Sequence, residues 1–148
     1  MDKKLEDFVR EYFGAEGNCS ETVLLAAANE WGIKNSLVPR IATAFGGGIG
    51  RQGQLCGALS GGIMAIGIKC GRDVPQDLEA RDRSYALARE LHRRFRNEFG
   101  FVDCHDLIQC DLLTPEGRAR QKEIRWEKCG KFIARTTETV LELTKEIQ

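Results

Sequence analysis

The sequence holds six cysteines but not one CxxC pair. That excludes zinc-finger and ferredoxin spacings, which bring their ligands in by close pairs. It has no CxxCH either, so covalently attached c-type haem is not expected. Histidines number two, His92 and His105. Neither Ser20 nor Ser60 has a histidine and an acid patterned around it, which leaves little for a hydrolase triad. Net charge is absent, because 22 Lys and Arg balance 22 Asp and Glu. A neutral chain gives no electrostatic reason to expect nucleic acid or an anionic membrane as partner. Long apolar runs are missing too: the longest, Leu55 to Ile68, has 14 residues and is glycine-rich. A spanning helix needs about 20, so no membrane insertion is expected. The opening MDKKLEDFVREYF is charged and amphipathic, without the apolar region of a signal peptide. A cytoplasmic location is therefore the expectation. In that compartment most thiols stay reduced, so metal binding or thiol chemistry becomes the leading question.

What is present is concentrated in one stretch. Gly46 to Gly62 holds eight of the sixteen glycines and one cysteine, Cys56. Up to Gln54 it reads as a loop; from Leu55 it becomes a nearly uncharged apolar run. Within it Gly48-Ile49-Gly50-Arg51-Gln52-Gly53 fits GxGxxG. The dinucleotide fingerprint needs a preceding strand in a βαβ unit, and the preceding segment reads as helical. The glycines are better taken as permitting positive φ angles and close backbone approach to a site.

The 148 residues, 42% hydrophobic and 30% charged, predict one domain spanning 1–148 with a core that needs no cross-links. The expected fold class is all-α, a bundle of about six helices with a central glycine-rich helix. Residues 3–13 place Leu5, Phe8, Val9 and Phe13 on one helical face. Asn18-Cys19-Ser20-Glu21 reads as a capping box opening a helix to about Gly32. Ser36 is expected to cap LVPRIATAF. Leu55 to Lys69 reads as a buried helix, apolar nearly all round. Asp73-Val74-Pro75 is expected to open a charged helix to Glu98, with Tyr85, Ala88, Leu91, Phe95 and Phe99 inward. A short helix follows Asp103-Cys104. The last helix is expected from about Arg120, with Trp126, Cys129, Ile133, Thr136, Val140, Leu143 and Ile147 on one seam. Such a seam is compatible with a homodimer.

Cys19, Cys56 and Cys104 are predicted at or near helix N-termini, where unpaired N–H groups stabilise a thiolate. Cys129 faces inward beside Gly130. Cys70 lies about 21 Å along a helix from Cys56 and cannot share a small metal centre with it. Cys110 is about 9 Å along from Cys104 and on another side. Spacing thus favours Cys19, Cys56, Cys104 and Cys129 as a set, while each of them alone could equally be a small core residue. His105 could serve as ligand or acid–base group; His92 reads as structural.

These blocks carry a resemblance. Cys56-Gly57-Ala58-Leu59-Ser60-Gly61 is a CGAxxG motif, flanked by NCSETVL (Asn18 to Leu24), AFGGGIG (Ala44 to Gly50), DCHDL (Asp103 to Leu107) and KCGKFI (Lys128 to Ile133). Their order resembles the C_GCAxxG_C_C family of small redox-type proteins. Carried over by position, the family cysteines are Cys19, Cys56, Cys104 and Cys129. The family is in turn similar to the non-haem part of split-Soret cytochromes c, which implies an iron–sulfur centre. The expectation is that these four cysteines bind an iron–sulfur cluster, [2Fe–2S] favoured, and pass electrons to a redox partner protein. The alternatives are a cluster-free thiol–disulfide protein with Cys56 as a low-pKa nucleophile, or a structural zinc module. If the chain is an enzyme, it is an oxidoreductase with Cys56 as the reacting thiol.

Overall fold

A computed structural model describes residues 2–147. Among them there are eight helices and no strand. The expected all-α class holds, and the count of about six is corrected to eight. Helix α1 (Lys3–Gly14) is capped by Asp2, whose carboxylate accepts from the Leu5 N–H at 2.9 Å, and it buries Leu5, Val9 and Phe13. Helix α2 (Cys19–Glu30) starts at the predicted capping box and is buried over most of its length.

The expected LVPRIATAF helix does not form as an α-helix. Only Arg40–Phe45 is helical, as a 3-10 segment, followed by the four-residue turn α3 (Gly46–Ile49). Pro39 disfavours the α conformation at Val38. Leu37 and Ile41 are exposed, so this stretch has little apolar burial to lengthen it.

Helix α4 (Gly57–Cys70) begins one residue after Cys56. Three interior glycines cost about 1 kcal/mol each relative to alanine in a helix. Close packing offsets this. A Cβ at Gly61 would sit 2.5 Å from the Ser20 carbonyl oxygen on α2. One at Gly62 would sit 2.6 Å from Thr136 and 2.9 Å from Leu91. The expected burial all round is not complete, since Gly67 is exposed.

Helix α5 (Leu78–Phe99) starts at Asp77, not at Asp73-Val74-Pro75; the Asp77 carboxylate caps it through the Ala80 N–H at 3.0 Å. Its inward stripe runs Ala80, Leu91, Phe95, and the expected inward Tyr85 is exposed under Arg81. Phe95, Phe99 and Phe132 form an edge-on aromatic group with centroids 4.8 to 5.8 Å apart, an arrangement aromatic quadrupoles favour.

After the short α6 (Cys104–Ile108), the expected last helix is two. Helix α7 (Pro115–Ile124) is capped by Thr114 with Pro115 at its start. Residues 125–128 turn, and α8 (Cys129–Thr144) follows. The predicted seam is therefore broken: Trp126 lies in the turn and is exposed. Cys129, Ile133, Thr136 and Val140 are buried inside the chain's own core, where α8 packs on α4, α2 and α5. No helix among the described residues is long and apolar enough to cross a membrane.

Candidate functional site

Each of the four selected cysteines is placed by a specific local device. At Cys19 the device is the capping box. The Asn18 side-chain oxygen accepts from the Glu21 N–H at 2.9 Å, and the Glu21 carboxylate accepts from the Asn18 N–H at 3.0 Å. The same end of α2 is tied to the 3-10 segment, because Asn18 donates to the Thr43 carbonyl at 3.0 Å and Ser20 to that of Ala42 at 2.7 Å. Cys19 is thereby the first residue of the helix.

Cys56 and Cys104 are held as a pair. The Cys56 N–H donates to the Val102 carbonyl at 2.8 Å and the Cys104 N–H to that of Gln54 at 2.6 Å, around an isolated antiparallel bridge between Leu55 and Asp103. The glycine loop closes over this ladder. Gly48 has φ +69°, and a Cβ there would lie 2.6 Å from Gln54 backbone atoms and 2.8 Å from the Cys104 Cβ. Gly57 approaches α2 just as closely, with its missing Cβ 3.1 Å from that of Cys19.

Cys129 owes its position to the 125–128 turn. Arg125 donates to the Gly17 carbonyl at 2.5 Å and lies 3.7 Å from the Phe13 ring centroid. This long-range anchor lies in the turn that interrupts the helical period, and Cys129 is the first residue of α8 beyond it. All four cysteines thus sit at helix N-termini, Cys56 as the cap of α4.

They also sit together. Cys19 and Cys129 act most strongly on each other, and every pair among the four thiols is close enough for one to bear on the ionisation of the other. Cys56, Cys104 and Cys129 are buried and Cys19 is half-buried. Cys70 stands apart at the far end of α4, where the charges acting on it are Arg83 and Lys69. Cys110 is nearer than its spacing implied, since it acts on Cys104. Its own thiol is committed to the Ile108 carbonyl at 3.2 Å. His105 is exposed on the first turn of α6, and His92 is half-buried on α5.

Over residues 17–143 the sequence matches the family described as "Putative redox-active protein (C_GCAxxG_C_C)". The chain belongs to that family. An uncharacterized protein of Archaeoglobus fulgidus is 29% identical over 137 residues, covering 87% of this chain and 85% of its own length. No solved structure matches the C_GCAxxG_C_C chain.

The four thiols of this C_GCAxxG_C_C protein are not equivalent. Burial pushes Cys56 up to about 12, although the Ala58 and Leu59 N–H groups pull the other way. Desolvation outweighs the helix end there. Cys104 is likewise raised to about 12 by burial. Cys19 is raised by its hydrogen bond to Cys129 and then by burial. Cys129 alone is lowered, first by the Cys19 hydrogen bond, with help from the Arg125 and Lys128 charges. In the metal-free state Cys129 is therefore the thiol of the four that ionises most readily, and Cys19 resists ionisation. The expected low pKa at Cys56 is corrected accordingly.

The donor set fits a thiophilic group: four sulfurs, three of them buried, on backbone-anchored positions. Soft thiolates suit iron–sulfur and zinc centres alike. Among the described residues no three Cys, His, Asp or Glu side chains are at the spacing of a single ion.

Proposed function

We propose that Cys19, Cys56, Cys104 and Cys129 hold an iron–sulfur cluster, [2Fe–2S] in type, and that the protein exchanges electrons with a partner protein. The observation that carries this reading is the meeting of four thiols from four helix N-termini. A bound cluster would supply one-electron transfer at a potential set by its protein surroundings. A cluster brings its own iron and sulfide between the ligands, so the sulfurs need not crowd as a single ion requires. The resemblance to the non-haem part of split-Soret cytochromes c points the same way.

The chain's own groups have definable tasks in this reading. The starts of α2, α4 and α8, with Arg125 and Lys128, favour negative charge, and so raise the potential. Burial of Cys56, Cys104 and Cys129 excludes water from the ligands. Those thiols would lose their protons on loading, which reverses the high pKa of the empty site. The test is purification without oxygen, a visible spectrum, and assay of iron, acid-labile sulfide and zinc. Charge-transfer bands with iron and sulfide are expected. Zinc with a blank spectrum overturns electron transfer.

One observation favours a second reading, cluster-free thiol–disulfide exchange. Cys129 is the one thiol of the four whose pKa is lowered, chiefly by its neighbour, the half-buried Cys19. Cys19, its proton passed to Cys129, would attack a substrate disulfide to form the mixed disulfide, and the thiolate released would take that proton back from Cys129 and leave as a thiol. The Cys129 thiolate would then attack the Cys19 sulfur, releasing the second thiol and leaving a Cys19–Cys129 disulfide. No metal together with a reversible disulfide at neutral pH selects this reading.

A further inference from the structure

The cysteine site has one open side, and its walls are cationic. A cleft of about 780 Å³ has Cys19 at its margin, between the α1–α2 turn, the glycine loop and α7. That volume lies in the range of small-molecule sites, about 300–1,000 Å³. Arg51, Arg118, Lys122 and Arg125 line it against only two acids, Glu16 and Glu21. Of these, Glu21 is spent on the capping box and on the Thr43 hydroxyl at 2.7 Å. None of the four cations takes part in an ion pair among the described residues, whereas Arg10, Arg93, Arg94 and Arg135 elsewhere do. In a chain of zero net charge this is a local excess.

Two of the cations have structural work. Arg125 holds the Gly17 carbonyl, and Arg118 donates to that of Leu112 at 3.0 Å. The side chains of Arg51 and Lys122 make no hydrogen bond or ion pair among the described residues. Arg51 also has φ +72°, and Glu16 across the cleft φ +73°. Non-glycine residues seldom adopt that region, and do so where the surroundings impose it. Counter-charge to the thiols accounts for only one of the four, Arg125, because the cations acting on Cys129 are Arg125 and Lys128.

We propose that this cleft binds a small anion bearing phosphate or carboxylate groups, held by Arg51 and Lys122 with Arg118 and Arg125 beside the cysteine site. Arginine forks and a lysine point charge are the side chains that recognise such groups. A concave, half-enclosed cleft suits a small molecule better than the flat face of an acidic protein. Binding does not depend on what the four sulfurs hold.

The test is calorimetric titration of the full chain, prepared without oxygen, with inorganic pyrophosphate and separately with citrate at low ionic strength. One-to-one binding of at least one probe is expected; pyrophosphate alone assigns phosphate, citrate alone assigns carboxylate. The paired substitution Arg51→Gln with Lys122→Gln is expected to weaken binding by about tenfold or more. The paired control Arg89→Gln with Arg96→Gln, two exposed cations of α5 outside the cleft, is expected to leave it unchanged. The proposal is overturned if neither probe binds below about 10 mM, or if the control weakens binding as much. Iron and sulfide are assayed on the same sample, so a missing cluster and a missing anion site are told apart.

Discussion

The two ends of α4 each carry a buried cysteine, yet they are different chemical places. Cys56 caps the N-terminal end, pinned by the Val102 carbonyl and facing three other thiols. Cys70 closes the C-terminal end, with Ser84 donating to its backbone carbonyl at 2.8 Å and no other thiol acting on it. Both are nearly inaccessible, 3% and 1% exposed. Burial therefore does not distinguish a candidate ligand from a core residue. The company kept by the sulfur does.

The largest expected effect breaks or keeps this contrast outright. Cys56→Ser is expected to abolish visible absorption and bound iron, and Cys70→Ser to leave both near the parent level. Equal losses in the two variants would mean that the proposed ligand set is wrong.

The next prediction moves the contrast to the glycines of the same helix. Gly61→Ala pushes a methyl group into the Ser20 backbone, which cannot swing away, and is expected to destabilise by about 1–3 kcal/mol. Gly67→Ala has nothing within 4 Å of the new Cβ and is expected to stabilise by about 0.5–1 kcal/mol. Urea denaturation of both variants checks the pair; equal signs would remove close α2–α4 packing as the reason for the glycines.

A pH prediction follows from the thiols. Cys56 and Cys104 have folded pKa values near 12 against an ordinary 9. A raised pKa contributes stability that is complete below about 9 and is lost as pH rises toward 12. The metal-free, reduced protein should lose up to about 1.4 kcal/mol per pH unit through Cys56 above pH 9. Denaturation at pH 8 and 10.5 checks this, and Cys56→Ser should flatten the slope.

Smallest is the cap. Asn18→Ala removes the oxygen that accepts from the Glu21 N–H and should cost about 1 kcal/mol, read as a lowered melting temperature. No change would mean that the α2–α4 contact alone positions Cys19.

Much of this was legible in the sequence where the controlling interaction is local. The Asn18–Glu21 box, the α1 face and the glycine breaks at Gly32 and Gly100 are all set by neighbours a few residues away. The choice of Cys19, Cys56, Cys104 and Cys129 as one set also rested on local signals, since each lies at the start of a helix. The misses are long-range. Trp126 and Cys129 keep helical spacing across a turn, because periodicity reports faces and not interruptions. The interruption coincides with a contact that no local pattern shows, Arg125 donating to Gly17 more than a hundred residues away. The Cys56 pKa was misjudged for a related reason: a helix end can be read locally, but the burial that outweighs it belongs to the whole fold.

The ladder joining residues 54–56 to 102–104 has a consequence for how the protein is made. The thiols meet only when segments from residue 19 to residue 129 have all been synthesised, a span that takes roughly 5–20 s at about 5–20 residues per second. On the ribosome, Cys19 and Cys56 emerge long before their companions. Any loading of the four-thiol pocket is thus a late event in the life of the nascent chain, and the early cysteines must survive that interval as bare thiols.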